Sequence, residues 1–227
     1  MKKRVFYTEI SYVLAMVIMA FAAAFTEKAN FGMSMVVAPA YILHLKVSEF
    51  LPWFSFGVAE YVFQGLLLLL TVVLMRRFKL SYLFSFVTAI LYGTLLDGAM
   101  IAIAALPENT FILRAVWYVL GAVLCSFAVS LFFHTYLSPE VYELIVKEIS
   151  GKWGCDINKV KTAYDCFSTV LGIVLSFCFF GFGVFKGVKL GTVLCALING
   201  FLIGRFTKLL EHHFEFRNKL NIERYFL

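Results

Sequence analysis

The sequence predicts an all-α membrane protein. Six transmembrane helices form two inverted three-helix repeats, each with a short amphipathic or re-entrant segment. Three observations predict it. First, 62% of the 227 residues are hydrophobic, only 15% are charged, and mean hydropathy is +0.88. A soluble domain carries roughly 25% charged residues, and 26 phenylalanines exceed what a water-facing surface can hide. Second, six apolar runs approach the roughly 20 residues that cross a bilayer core. Third, Ala89-Ile90-Leu91-Tyr92-Gly93-Thr94-Leu95-Leu96-Asp97-Gly98 is echoed by Ala196-Leu197-Ile198-Asn199-Gly200-Phe201-Leu202-Ile203-Gly204-Arg205. With three spans per copy, the second copy enters the membrane upside down, a common plan for transporters.

The elements follow in order. Met1-Lys2-Lys3-Arg4 and the apolar run behind it imitate a signal peptide. Glu27, Lys28 and Asn30 follow Ala22-Ala23-Ala24 without a convincing cleavage site, so the run reads as a retained span, Ile10 to Thr26. Phe31 to Leu45 is apolar but interrupted by Pro39, and is too short for an ordinary span. The second span runs from Phe54 to Met75 and ends at Arg76-Arg77-Phe78-Lys79. The third is Leu80 to Ala104. A turn through Pro107 leads to the fourth, Ile112 to Thr135.

Ser138 then offers an N-cap and Pro139 a first helical position. Val141, Leu144, Ile145 and Ile149 share one face, with Glu140, Glu143, Lys147 and Glu148 on the remainder. This predicts a short amphipathic helix that lies at the interface or folds partly inward. Asp156 can cap the fifth span, Thr162 to Val184, and the sixth is Leu190 to Leu210. The tail, Glu211 to Leu227, fits a short cytosolic or surface-lying helix. The repeats thus occupy 1–110 and 111–210, followed by the tail 211–227.

Most of the 20 lysines and arginines fall on one side of this topology, which places both termini in the cytosol. The net charge of +6 sits in short groups between spans, a pattern of topology signals and lipid headgroup contacts, not of nucleic-acid binding. The five cysteines lack CxxC spacing and read as small buried thiols.

Ionisable residues inside a membrane are functional candidates, because inserting a charge there costs at least about 2.5–3.5 kcal/mol. Glu60, Asp97 and Asp165 qualify. Glu60 and Gln64 are four apart and share a helix face, and Asp165 and Ser168 are three apart and do likewise. These groups can bind a cation or take up protons that drive transport; the bland alternative is a carboxylate near the headgroups that caps a span. Asn199, deep in the sixth span, reads as interhelical glue or a substrate contact. His134 reads as an interfacial histidine, and Arg205 as a residue that snorkels to the surface. His212-His213 has no partner at ligand spacing, so no metal site is expected. Gly200-x-x-x-Gly204 and Ala20-x-x-x-Ala24 suit close helix packing, inside one subunit or at the seam of a homodimer.

The second half carries a resemblance. Its Ser138-Pro139 helix, its Asp156-Ile157-Asn158-Lys159-Val160 segment and its Gly187-Val188-Lys189-Leu190-Gly191-Thr192 turn into Ala196-Leu197-Ile198-Asn199-Gly200 resemble the YczE/YyaS/YitT group of bacterial membrane proteins. The sequence departs from that group at Phe31-Gly32-Met33-Ser34, where such proteins often have a Gly-x-x-Pro-Trp-Asp-like turn. The resemblance implies a multi-span bacterial membrane protein, usually guessed to be a transporter, and supplies no catalytic residue.

No HExxH, GxSxG, Walker loop or CxxC occurs, so no enzyme and no cofactor is expected. The leading expectation is a secondary transporter of a small cationic or neutral metabolite, with protons as a candidate drive and the bilayer as partner. The alternatives are the substrate-binding membrane subunit of an energy-coupling-factor vitamin uptake system, docked through Ala20 and Ala24, and a non-transporting membrane scaffold.

Overall fold

The computed structural model describes residues 4–107, 110–137 and 140–220. It contains a short strand β1 (Arg4–Tyr7), eight helices and a short strand β2 (Phe214–Arg217). The helices are α1 (Thr8–Ala29), α2 (Ala38–Val47), α3 (Phe56–Met75), α4 (Leu80–Ala104), α5 (Phe111–Phe132), α6 (Val141–Trp153), α7 (Ile157–Phe180) and α8 (Leu190–His213). All but α2 and α6 are long and apolar enough to cross a membrane. The expected six spans are therefore present, three in each half, with one short helix after the first span of each half.

The short helices are the structural key. At 1.5 Å per residue, α2 is about 15 Å long and α6 about 20 Å, too short for a core of about 30 Å. Each runs beside the middle span of the other half. The Ser168 hydroxyl in mid-α7 donates to the Met35 carbonyl just before α2. Further along, Ala38 and Ile42 pack over Gly172, and Lys46 reaches the ring of Phe180 at the end of α7. In the other half the Gln64 side chain in mid-α3 receives the Val141 amide at the start of α6. Further along, Lys152 donates to the Leu74 carbonyl and Glu148 meets Arg77 and Lys79 beyond the end of α3. Both short helices therefore begin at mid-span and leave towards opposite faces. Their starts meet: Val36, just before α2, packs in one apolar cluster with Val141, Tyr142, Phe63 and Leu67.

The remaining packing repeats in part. The first spans α1 and α5 lie against each other, and each also packs on the third span of its own half, α4 or α8. Gly121 permits the α1–α5 approach, because a Cβ there would lie 2.9 Å from the Ala22 carbonyl oxygen and 2.7 Å from Thr26. The halves diverge at one seam. In the first, α3 and α4 are pressed together at Gly57 and Gly93. In the second, α8 packs on α5 and stands apart from α7.

The chain ends meet. β1 and β2 pair in parallel, Arg4 opposite Phe214 and Tyr7 opposite Arg217. Beside them, Glu9 accepts from the Lys219 and Leu220 amides and from the Tyr136 hydroxyl. The two ends therefore lie on one side, as an even number of crossings requires.

Several sequence expectations are corrected. The tail after α8 opens as a strand, not a helix, because Phe6, Phe214 and Phe216 pack together when paired. The expected Ser138 cap and Pro139 first position lie outside the described residues; α6 starts at Val141 with Glu140 as its N-cap. Asp156 caps the fifth long helix as expected, accepting the Lys159 amide at 3.1 Å; that helix starts at Ile157, and its apolar span runs Lys159–Phe180 instead of Thr162 to Val184. The five cysteines are free as expected, but Cys155, Cys166 and Cys178 face outwards.

Candidate functional site

The site lies where α2 and α6 begin. α3 carries apolar residues on most sides, and its polar interruptions Glu60 and Gln64 stand one turn apart on a single face. That face is turned inward: both side chains are 0% exposed. Gln64 Oε1 accepts the Val141 amide at 3.1 Å, filling one of the bonds that the first turn of α6 lacks. Gln64 Nε2 donates to Glu140 Oε2 at 3.0 Å and, at 3.5 Å, to Glu60 Oε2. The Tyr142 hydroxyl donates to the same Glu60 oxygen at 2.8 Å. One amide thus stands between two carboxylates, one from each half of the molecule.

Two buried polar atoms here have no partner among the described residues, Glu60 Oε1 and the Tyr92 hydroxyl. Tyr92, on α4, is 1% exposed and lies in the electrostatic reach of Glu60 and Glu140. Nearly all native buried polar groups are satisfied, so such an atom points to a function or an absent ligand.

A second ionic group flanks the first. Lys161 Nζ on α7 lies 3.0 Å from Asp165 Oδ1 and 4.0 Å from Glu143 Oε1 on α6. Tyr164, the next residue but two along α7, packs against the apolar collar around Val141 and Tyr142. At its far end α6 is held by Glu148, which is 2.9 Å from Arg77 Nη2 and 2.5 Å from Lys79 Nζ. Burial opposes ionising Glu148, but hydrogen bonds from Lys79 and Arg77 outweigh it and hold the carboxyl below its usual range.

The expected site residues therefore separate. Glu60 and Gln64 sit in the centre. Asp165 lies beside it, paired with Lys161 at 3.0 Å, a lysine that belongs to α7 and not to the loop before the fifth span. Asp97 is elsewhere. Its Oδ1 accepts the Gly57 amide at 2.8 Å and its Oδ2 accepts the Ser55 hydroxyl at 2.5 Å, so it binds the N-terminus of α3. Asn199 accepts a hydrogen bond from Ser126 at 2.6 Å and ties α8 to α5. His134 stacks on Phe216 at 4.1 Å, beside the paired ends. Among the described residues no group of three or more His, Cys, Asp or Glu side chains has metal-binding spacing.

The sequence reading missed Glu140, Glu143, Tyr142, Tyr92 and Lys161 as site residues. One signal for the first three was present. Pro39 and Pro139 stand in corresponding short segments of the two halves, and paired interrupted segments mark binding sites in inverted-repeat proteins.

Residues 6–208 match the family model DUF6198, described as a family of unknown function. No curated protein and no solved structure matches the chain.

Proposed function

The chain belongs to the DUF6198 family, whose description assigns no activity, and from the site itself we propose that it is a secondary transporter of a small cationic or neutral metabolite. One observation carries this reading. Glu60 is wholly buried, with an oxygen unpartnered among the described residues, at the point where two half-length helices from opposite halves begin. A buried carboxylate of this kind is costly to keep and is retained for binding or proton transfer. The placement agrees with the plan in which interrupted helices meet at the midplane between inverted repeats, so that rocking one half exposes the site to either side.

The finer expectations belong to this proposal: likeness to the YczE/YyaS/YitT group, location in the cell membrane with both ends cytosolic, and a homodimer. Support for a homodimer comes from Gly200 and Gly204, whose missing side chains meet no atom within 4 Å among the described residues. The vitamin-uptake alternative is weakened, because Ala20 and Ala24 are each 1% exposed and already packed inside the chain. The scaffold reading keeps one supporting observation, the closed centre around Glu60, Gln64 and Tyr142.

A thermal-shift screen of the purified protein against small amines, amino acids and planar neutral metabolites tests the proposal. Transport predicts at least one stabilising compound whose effect is lost in Glu60→Gln but kept in Asp97→Asn. Stabilisation indifferent to Glu60→Gln would refute the site. A screen without any stabilising compound, together with a stable protein partner in pull-downs, would favour the scaffold.

A further inference from the structure

We propose that Glu60 and Glu140 hold a single proton between them, carried on Glu60 Oε1, and that this proton is the coupling ion of the site. The inference deepens the transport reading and rests on it for the word coupling; the proton itself rests on geometry alone. Glu60 is 0% exposed and Glu140 is 6% exposed. Their Oε2 atoms share one amide, Gln64 Nε2, at 3.5 and 3.0 Å. Two ionised carboxylates in one dry site repel, and one proton removes the repulsion.

Of the two carboxylates, Glu60 carries the buried oxygen that lacks a partner among the described residues, and that oxygen is where we place the proton. Glu60 Oε2 accepts from Tyr142 and Gln64, so it has no need of an O–H. Glu60 Oε1 has no partner among the described residues. The elements around the pair bring it little counter-charge. α1 presents Tyr12, α4 presents Tyr92 and α5 presents Cys125, none of them a cation. α6 adds Tyr142 and another acid, Glu143. α7 brings Tyr164, Asp165 and Lys161. Lys161 is the cation among these, and it is engaged by Asp165 and Glu143.

A metal cation fits less well than a proton. A hard cation takes about six oxygen ligands. Gln64 Oε1 is committed to the Val141 amide, and Tyr142 donates its proton to Glu60. Glu60 Oε1 and the Tyr92 hydroxyl are the buried oxygens here without a partner among the described residues, fewer than such a shell needs. Removal of the proton to either aqueous side leaves two anions facing each other across Gln64. α6, whose first residues supply Glu140, Val141 and Tyr142, is then the element with least reason to stay.

Infrared difference spectroscopy of the full-length protein in lipid tests this without a substrate. Wild type should show the C=O stretch of a protonated carboxylic acid at neutral pH, shifted on exchange into D2O and lost on raising the pH. Glu60→Gln should abolish that band. Tyr142→Phe keeps both carboxyls and should move the band by removing a hydrogen bond, which provides the test if Glu60→Gln does not fold. Absence of the band in wild type, its survival in Glu60→Gln, or an unmoved band in Tyr142→Phe would overturn the proposal. So would loss of the band on adding sodium chloride, but not choline chloride, at constant pH.

Discussion

Glu60 and Asp97 are two carboxylates in apolar helices, and their surroundings give them different work. Asp97 accepts from Ser55 and from Gly57 at the first turn of α3, where unpaired amides and the helix dipole stabilise a negative charge. Glu60 has a tyrosine and a shared amide on one oxygen and, among the described residues, no partner on the other. Asp97→Ala should therefore cost stability, about 0.5–2 kcal/mol as for other lost caps, measured as a lower midpoint of thermal unfolding in detergent, without changing the carboxylic-acid band. Glu148 supplies a pH dependence whose sign follows from its lowered pKa. Its ion pairs with Arg77 and Lys79 are fully present above the ordinary glutamate value, about 4.3, and are lost as pH falls through the lowered value. Wild-type unfolding midpoints should drop over that acid window, while Glu148→Gln should show a flatter dependence.

At the scale of elements, corresponding glycines of the two halves have separated roles. A Cβ on Gly57 would stand 1.9 Å from the Gly93 carbonyl oxygen, a backbone atom that cannot step aside. A Cβ on Gly200, the counterpart of Gly93 in the repeated motif, meets nothing within 4 Å. Gly57→Ala should thus destabilise by about 1–3 kcal/mol, the usual range for overpacking, and Gly200→Ala should leave the unfolding midpoint nearly unchanged. A reversed order would mean that the α3–α4 seam is looser than described or that the α8 face is covered in the membrane. The spans were legible in the sequence because a run of about 20 apolar residues has few other uses. Glu60 and Gln64 were legible as a pair because four-residue spacing fixes a shared face. Glu140 and Tyr142 were not. A helix turned back into the membrane buries its polar side against partners from another span, and a helical pattern of charges looks the same whether it faces water or a buried amide. Lys161 was misplaced for a related reason: its lysine marks a span boundary in hydropathy, yet the helix had begun at Ile157, capped by Asp156.

The whole molecule joins these parts through exchange between its halves. Gln64 of the first half holds the start of α6, and Ser168 of the second holds the segment before α2. The two residues stand at matching places in the repeat, so each half carries the other's short helix. The N- and C-terminal strands and the Glu9 contacts close one face. The opposite face is closed between the loop after α1 and the α7–α8 turn, where the Met33 amide donates to Gly187 and the Gly191 amide to Phe31. The site is thus closed on both faces and buried at the seam, an arrangement that agrees with the proposed transport. On the proposed coupling, a proton binds and leaves at Glu60 within the membrane field. The direct measurement is a pH jump on proteoliposomes adsorbed to a solid-supported membrane, recorded as current. Wild type should give a transient charge movement absent from protein-free liposomes and lost in Glu60→Gln, with Asp97→Asn retaining it. Equal transients in wild type and Glu60→Gln, or none in wild type, would contradict proton binding at Glu60.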